Sequence, residues 1–182
     1  AQVTYFGLHS LQHRGQEGAG ILSNDHGKLK RHRDLGLVAE VFRNPADLDN
    51  LTGEAAVGHV RYATSGGASI FFSFYDMQMG LAHNGNLTNA YSLRRELEKK
   101  GSIFASSSDT EILMHLIRHS KQENFLDKLK ESLRRVQGGF AYLIMREDKL
   151  YAALDPNGFR PLSIGRMKNG AWVVSSETCA FE

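Results

Sequence analysis

The stretch LAHNGNLTNA (residues 81–90) joins two kinds of pattern in this chain. It ends an apolar segment typical of a β-strand, and it leads into a helical pattern that Asn86 to Asn89 would cap. An Asn-Gly pair after an alternating apolar run favours a two-residue hairpin turn, because both central residues of that turn need positive φ. Asn84 and Gly85 could instead direct a side-chain amide and a backbone N–H at one point, as an oxyanion hole does.

Strand patterns lie on both sides of a central helical block. The predicted helices cover residues 3–13, 89–100, 109–119 and 125–136, and the predicted strands lie in residues 18–32, 54–64, 71–85 and from 138 onward. Ser108, followed by Glu111, predicts a capping box at the start of the third helix. Connections of hairpin length dominate, so we predict an α+β fold with antiparallel sheets and helices on the outer faces.

The bulk composition limits the class of protein. A chain of 182 residues fits one domain, and a net charge of +2 gives no field that favours nucleic acid or a membrane as partner. The basic segment KLKRHRD (residues 28–34) is interpreted as a solvated strand. The single Cys excludes an internal disulfide framework and a cysteine-ligated zinc site. With no bilayer-length apolar run and no signal-peptide pattern, we expect a cytoplasmic protein.

Polar residues at three places could carry chemistry. Arg61 lies within the apolar strand pattern VGHVRYAT, where it either meets an anion or faces solvent. Asp109 lies in the first turn of a predicted helix, where it could stabilise the helix end or hold an ammonium group. His59 and His83 are expected to be packed strand residues. An Arg for a carboxylate, an Asp for an ammonium and an Asn-Gly pair for an oxyanion together suit glutamine.

Six motifs in this order carry a resemblance to a known family: LQHRGQEGAG, GHVRYAT, LAHNGNL, SSDTE, GGFAYLIM and LDPNGFRPLSIG. The chain resembles the class II glutamine amidotransferase domain, and is most similar to the branch that acts on phosphoribosyl pyrophosphate in purine synthesis. The resemblance implies the N-terminal nucleophile hydrolase fold, a four-layer αββα sandwich of two antiparallel sheets.

The same resemblance implies how glutamine is bound. Arg61 and Thr64 would hold the α-carboxylate, and Asp109 would hold the α-ammonium group. Arg14, in HRGQ, corresponds to a loop residue that closes over the site. Glutamine is thus the expected ligand of residues 1–182.

For catalysis the family uses a cysteine at the mature N-terminus, whose α-amino group is the general base, with Asn84 and Gly85 here as the oxyanion hole. Residue 1 is Ala, and the sole thiol, Cys179, is expected to be a packed structural residue. We expect about ten residues, a first strand that carries the nucleophile and a short loop, to precede this chain. The chain as printed is therefore predicted to be inactive.

The resemblance also implies partners beyond this domain. A C-terminal phosphoribosyltransferase domain, absent from these residues, would receive the ammonia, and the whole protein is expected to be a homo-oligomer. No cofactor or metal is expected in this domain, while the parent protein could use magnesium and an iron–sulfur cluster.

Two rival functions remain at this stage. One is another class II amidotransferase, such as a glucosamine-6-phosphate or asparagine synthase. The other is a non-catalytic module that binds glutamine or serves in assembly, which the lack of a leading Cys suggests. A complete N-terminal sequence that begins with Cys-Gly would favour the enzyme.

Overall fold

A computed structural model describes residues 1–62, 79–147 and 149–181. Its helices are α1 (Gln2–Ser10), α2 (Val38–Val41), α3 (Pro45–Asp49), α4 (Ala90–Lys99), α5 (Thr110–His119) and α6 (Phe125–Leu133). Its strands are β1 (Gly18–Asp25), β2 (Lys28–Leu35), β3 (Ala55–Arg61), β4 (Met79–Leu87), β5 (Gly138–Arg146), β6 (Lys149–Leu154), β7 (Ser163–Arg166) and β8 (Trp172–Ser175). Short 3₁₀ turns cover Gln12–Arg14 and Thr178–Ala180.

The described strands form antiparallel sheets, as predicted. The first sheet has the order β2-β1-β3, the second has the order β4-β5-β6, and β7 pairs with β8. The hairpin between β1 and β2 turns at His26 and Gly27, which have φ values of 50° and 87°. Two positive φ values at the centre of a two-residue loop match the right-handed twist of the flanking strands. The predicted turn at residues 25–27 is therefore confirmed.

Each of the two larger sheets buries one face against helices. Leu8 of α1 and Val38 of α2 pack with Ile21 of β1 in one core. Leu97 of α4 and Leu113 of α5 belong to a second, larger core that also contains β4 and β5 residues. Apolar stripes on the helices face the sheets because burial of these side chains is the main favourable contribution to folding.

The opposite faces of the two sheets pack on each other. Leu22 and Val57 of the first sheet contact Ala82 and Met145 of the second in a third, smaller core. Gly80 allows this approach, since a Cβ there would lie 1.8 Å from the Leu22 Cδ2 atom. The layers therefore run helix, sheet, sheet, helix, and the predicted αββα sandwich is confirmed.

The structure contradicts the predicted hairpin turn at Asn84 and Gly85. Both residues lie inside β4, where Asn84 is opposite Ala141 and Gly85 is opposite Phe140 of β5. Gly85 has a φ of 134°, and a Cβ there would lie only 2.0 Å from the Gly139 carbonyl oxygen. Glycine is needed because the β5 backbone approaches closely, not because the chain reverses direction.

Two predicted helix caps are replaced by contacts between elements. The Asn89 side chain accepts from the Gln137 N–H and donates to the Arg135 carbonyl oxygen, each at 2.9 Å. Glu111 accepts from the N–H groups of Ala105 and Ser106, at 2.8 and 3.0 Å, instead of closing a box with Ser108. These side chains attach loops to the helical layer, which a local motif does not reveal.

Candidate functional site

A cleft of about 1030 Å³ opens between the two larger sheets. Its walls come from the turn after α1, the ends of β3 and β4, the start of α5, and β8 with the residues that follow it. Five of the six predicted site residues line it: Arg14, Arg61, Asn84, Gly85 and Asp109. Thr64, the sixth, lies outside the described residues. The fold thus brings together residues from four separate segments.

Strand alternation directs one face of β3 into this cleft. Val57 packs between the sheets while Val60 packs towards the helices, so His59 and Arg61 face the second sheet. His59 Nε2 donates to the His83 carbonyl oxygen at 3.0 Å and so connects β3 with β4. Burial lowers the pKa of His59 to about 4, although the bond to that carbonyl opposes the shift. A neutral His59 therefore crosses from one sheet to the other beside the partly buried Arg61.

The Asn84 amide lies in the wall of the cleft. Its Nδ2 atom is buried and has no hydrogen-bond partner among the described residues. Buried polar groups in proteins are nearly always paired, so an unpaired donor in a cleft is a candidate ligand-binding group.

The backbone of Gly85 faces the same edge of β4. On that edge, away from β5, the His83 carbonyl accepts from His59 and the Leu87 N–H donates to the Asp109 carboxylate at 2.9 Å. Alternate residues of a strand direct their backbone groups to the same side, and Gly85 lies between His83 and Leu87. The Gly85 N–H therefore points towards the cleft rather than into the sheet.

Asp109 connects the start of α5 to β4. Its Oδ2 atom accepts from Leu87, and its Oδ1 atom lies 3.5 Å from Nδ1 of the buried His83 ring. Burial raises the pKa of Asp109, but the His83 ring and the N–H groups of Leu87 and Thr110 outweigh it and lower the pKa. The carboxylate is therefore charged at neutral pH and remains open to the cleft at 24% exposure. Its position at the start of α5 fits the expected role at the helix end, whereas the role of holding an ammonium group stays a prediction.

A domain model described as a glutamine amidotransferase domain matches residues 59–182, more than half of the chain. This range contains Arg61, Asn84, Gly85 and Asp109. The chain belongs to the glutamine amidotransferase domain family.

Individual relatives of this amidotransferase domain agree. The amidophosphoribosyltransferase of Staphylococcus aureus strain Mu50 is 56% identical over the whole chain, which covers 38% of that protein. The solved glutamine phosphoribosylpyrophosphate amidotransferase from Bacillus subtilis, complexed with ADP and GMP, superposes with a TM-score of 0.91 at 52% identity, over 99% of this chain and 40% of that chain. A structure described as the allosteric regulatory enzyme of purine biosynthesis superposes with a TM-score of 0.92 at 53% identity, over 99% of this chain and 40% of that chain. The chain thus spans about two fifths of these relatives, and the predicted N-terminal nucleophile fold is confirmed.

The amidotransferase domain also contains an ion pair that the sequence patterns did not reveal. Arg14 Nη1 lies 2.5 Å from Glu177 Oε1, and His13 Nε2 lies 3.0 Å from Glu177 Oε2. Glu177 follows β8 and lines the cleft. The hydrogen bond from Arg14 lowers the pKa of Glu177 against a smaller effect of burial, and His13 lowers it further. More than 160 residues separate the partners, so no local motif could indicate the contact.

The expectation that Cys179 is a packed structural residue is wrong. Cys179 is exposed and lies in the 3₁₀ turn Thr178–Ala180, with its Sγ atom 3.8 Å from the Ser10 carbonyl oxygen. Among the described residues that line the cleft, its neighbours Glu177 and Ala180 appear but Cys179 does not. The Sγ atom also lies 3.8 Å from Glu177 Oε2, so Cys179 is an exposed neighbour of the cleft wall and not one of its lining residues.

The described residues offer neither a metal centre nor a membrane-spanning helix. No group of three or more His, Cys, Asp or Glu side chains there is arranged to hold a metal ion. Over the same residues, each helix is too short or too polar to cross a bilayer.

Proposed function

We propose that this domain hydrolyses the side-chain amide of glutamine, and that the whole protein transfers the ammonia to phosphoribosyl pyrophosphate in the first step of purine synthesis. The Asn84 amide carries the proposal, because a buried donor unpaired within the described chain opens into the cleft that Arg61 and Asp109 also line. The names of the S. aureus and B. subtilis relatives support the choice of acceptor.

Glutamine would be bound through its two backbone charges. Arg61 supplies a cation for the α-carboxylate, and Asp109, whose pKa is lowered, supplies an anion for the α-ammonium group. Thr64 is proposed to bind the carboxylate with Arg61, and Arg14 to close over the ligand. A free amino acid with both charges is thereby distinguished from a glutamine residue within a peptide chain.

The reaction would proceed through a tetrahedral intermediate. When a thiolate attacks the amide carbon, the carbonyl oxygen becomes an oxyanion, which accepts from Asn84 Nδ2 and the Gly85 N–H. The C–N bond then breaks, and the nitrogen leaves as ammonia with the proton that the α-amino group had taken from the thiol. Water hydrolyses the remaining thioester to glutamate and the free thiol. The nucleophile of this family is a cysteine with its own α-amino group, a combination that Cys179 lacks. We propose that the whole protein places such a cysteine against the amide carbon.

The remaining parts of the proposal concern the whole protein. We propose that a C-terminal phosphoribosyltransferase domain receives the ammonia, which is supported by the fact that this chain covers only 38% of the S. aureus relative. We propose that the whole protein is a cytoplasmic homo-oligomer that uses magnesium and could carry an iron–sulfur cluster, neither of them in this domain.

The test is Asn84→Ala in the whole protein. Loss of one oxyanion donor lowers the rate of glutamine hydrolysis by about 10² to 10³, with a much smaller change in KM. Asn157→Ala is the matched control, since Asn157 is exposed in the turn after β6 and does not line the cleft. Ammonia release from glutamine is measured, together with the phosphoribosyltransferase rate with added ammonia, which should not change. Unchanged hydrolysis by the Asn84 variant would refute the oxyanion role.

A further inference from the structure

The two ends of the described chain meet at one wall of the cleft through Glu177. Its carboxylate pairs with the side chains of Arg14 and His13. The Arg14 and Glu177 side chains are only 26% and 33% exposed. Charge-assisted hydrogen bonds of this kind have a fixed direction, which a guanidinium on a flexible side chain otherwise lacks. The pair therefore determines where the Arg14 guanidinium lies.

The backbone that carries Arg14 is already fixed against β3. Gly15 packs so closely that a Cβ there would lie 2.4 Å from the backbone nitrogen of Arg61. The Tyr62 hydroxyl donates to the His13 carbonyl oxygen at 3.4 Å. The Glu17 N–H donates to the Arg61 carbonyl oxygen at 3.0 Å. Because the backbone is held in this way, the position of the Arg14 guanidinium depends mainly on the side-chain torsion angles.

We propose that Glu177 is a positioning residue for glutamine binding, which holds the Arg14 guanidinium over the cleft before the ligand arrives. This inference rests on the proposed function, because it takes Arg14 to contact glutamine. Glu177 acts through Arg14 and does not touch the reacting atoms. A guanidinium that is already oriented loses less side-chain freedom when the ligand binds, so glutamine binds more tightly.

The test is a double-mutant cycle in the whole protein with Arg14→Ala, Glu177→Ala and the double variant. Each single change is expected to raise the KM for glutamine about tenfold, with kcat within about twofold. The double variant is expected to be no worse than either single one, because both remove the same interaction. Ammonia-dependent activity should be equal in all proteins, and Glu177→Gln, which keeps an acceptor oxygen, should recover part of the affinity.

Glu96→Ala is the matched control for loss of an ion pair. Glu96 pairs with Arg135 at 2.5 Å on the helical layer and is similarly exposed at 40%. Its glutamine KM should equal that of the wild type.

Three results would overturn the inference while glutamine hydrolysis by the wild type stands: multiplicative effects in the double variant, an unchanged KM for Glu177→Ala, or a lower KM. A lower KM would mean that Glu177 competes with glutamine for Arg14. A wild-type protein that neither binds nor hydrolyses glutamine would refute the proposed function itself, and this inference with it.

Discussion

Replacement of His59 by glutamine should flatten the dependence of stability on pH. His59 has a pKa of about 4 in the folded protein, because burial disfavours its charged form, against 6.5 for the ordinary side chain. The unfolded chain therefore binds the proton more readily than the folded chain. The free energy of unfolding contributed by this group is complete above pH 6.5 and is lost as the pH falls towards 4.

The size of the effect follows from these two values. Between about pH 7.5 and about pH 5, protonation of this residue in the unfolded chain lowers the free energy of unfolding by about 2 kcal/mol. The glutamine side chain of the variant does not titrate, and its amide could still donate to the His83 carbonyl oxygen that His59 Nε2 contacts at 3.0 Å. The wild type should therefore lose about 2 kcal/mol more than His59→Gln over that interval.

Urea unfolding followed by far-UV circular dichroism, at several pH values, measures this difference. His115 also has a pKa lowered by burial, but it is present in both proteins and cancels in the comparison. His9→Gln, at an exposed position on α1, is the control for the replacement of a histidine by glutamine. Equal pH dependence in the wild type and His59→Gln would refute the interpretation of His59 as a partly buried, neutral link between the sheets.

Three further changes test the site. Arg61→Ala should weaken glutamine binding by about 2 to 5 kcal/mol in calorimetry, which is the scale for a desolvated charge pair. The melting temperature of the ligand-free protein should change little. If the ligand-free variant unfolds instead, Arg61 has a structural role. Gly85→Ala should abolish glutamine hydrolysis. It should also lower the free energy of unfolding in urea by clearly more than the cost of positive φ alone, which is about 1 to 2 kcal/mol, because its Cβ would lie 2.0 Å from the Gly139 carbonyl oxygen. Gly101→Ala, at φ +89° with open space around it, should show only that smaller cost, and equal losses would remove the argument from close approach. Cys179→Ser should leave ammonia release by the whole protein unchanged, whereas labelling of Cys179 by a glutamine-mimicking electrophile would contradict the proposed mechanism.

The helices and the antiparallel strands were predictable because their signals are local. The 3.6-residue apolar repeat in α5 and the positive-φ turn at His26 and Gly27 depend on neighbours within a few residues. Short connections then imply antiparallel pairing. The residues proposed to bind glutamine were also predictable as types, since Arg61, Asp109 and the Asn84-Gly85 pair each stand out from an otherwise regular pattern.

Distances and neighbours between segments were not predictable in this way. The Asn-Gly pair favours a turn when only β4 is considered, but β5 pairs across it, and the ladder overrides the local preference. Cys179 suggested a packed residue by its type, yet the 3₁₀ turn directs it to solvent.

By itself, then, the sequence determined the four longer helices, the antiparallel pairing of the strands and the chemical types in the site, because each follows from short-range sterics and hydrophobic periodicity. The short helices α2 and α3 were not predicted, since four or five residues are too few to show a helical repeat. Only the tertiary structure decided that Glu177 meets Arg14, that His59 reaches the β4 backbone, and that the Asn84 amide stays unpaired among the described residues. Those contacts depend on how the two sheets and distant chain segments pack. That packing is determined by many side chains together, so no single position in the sequence predicts it.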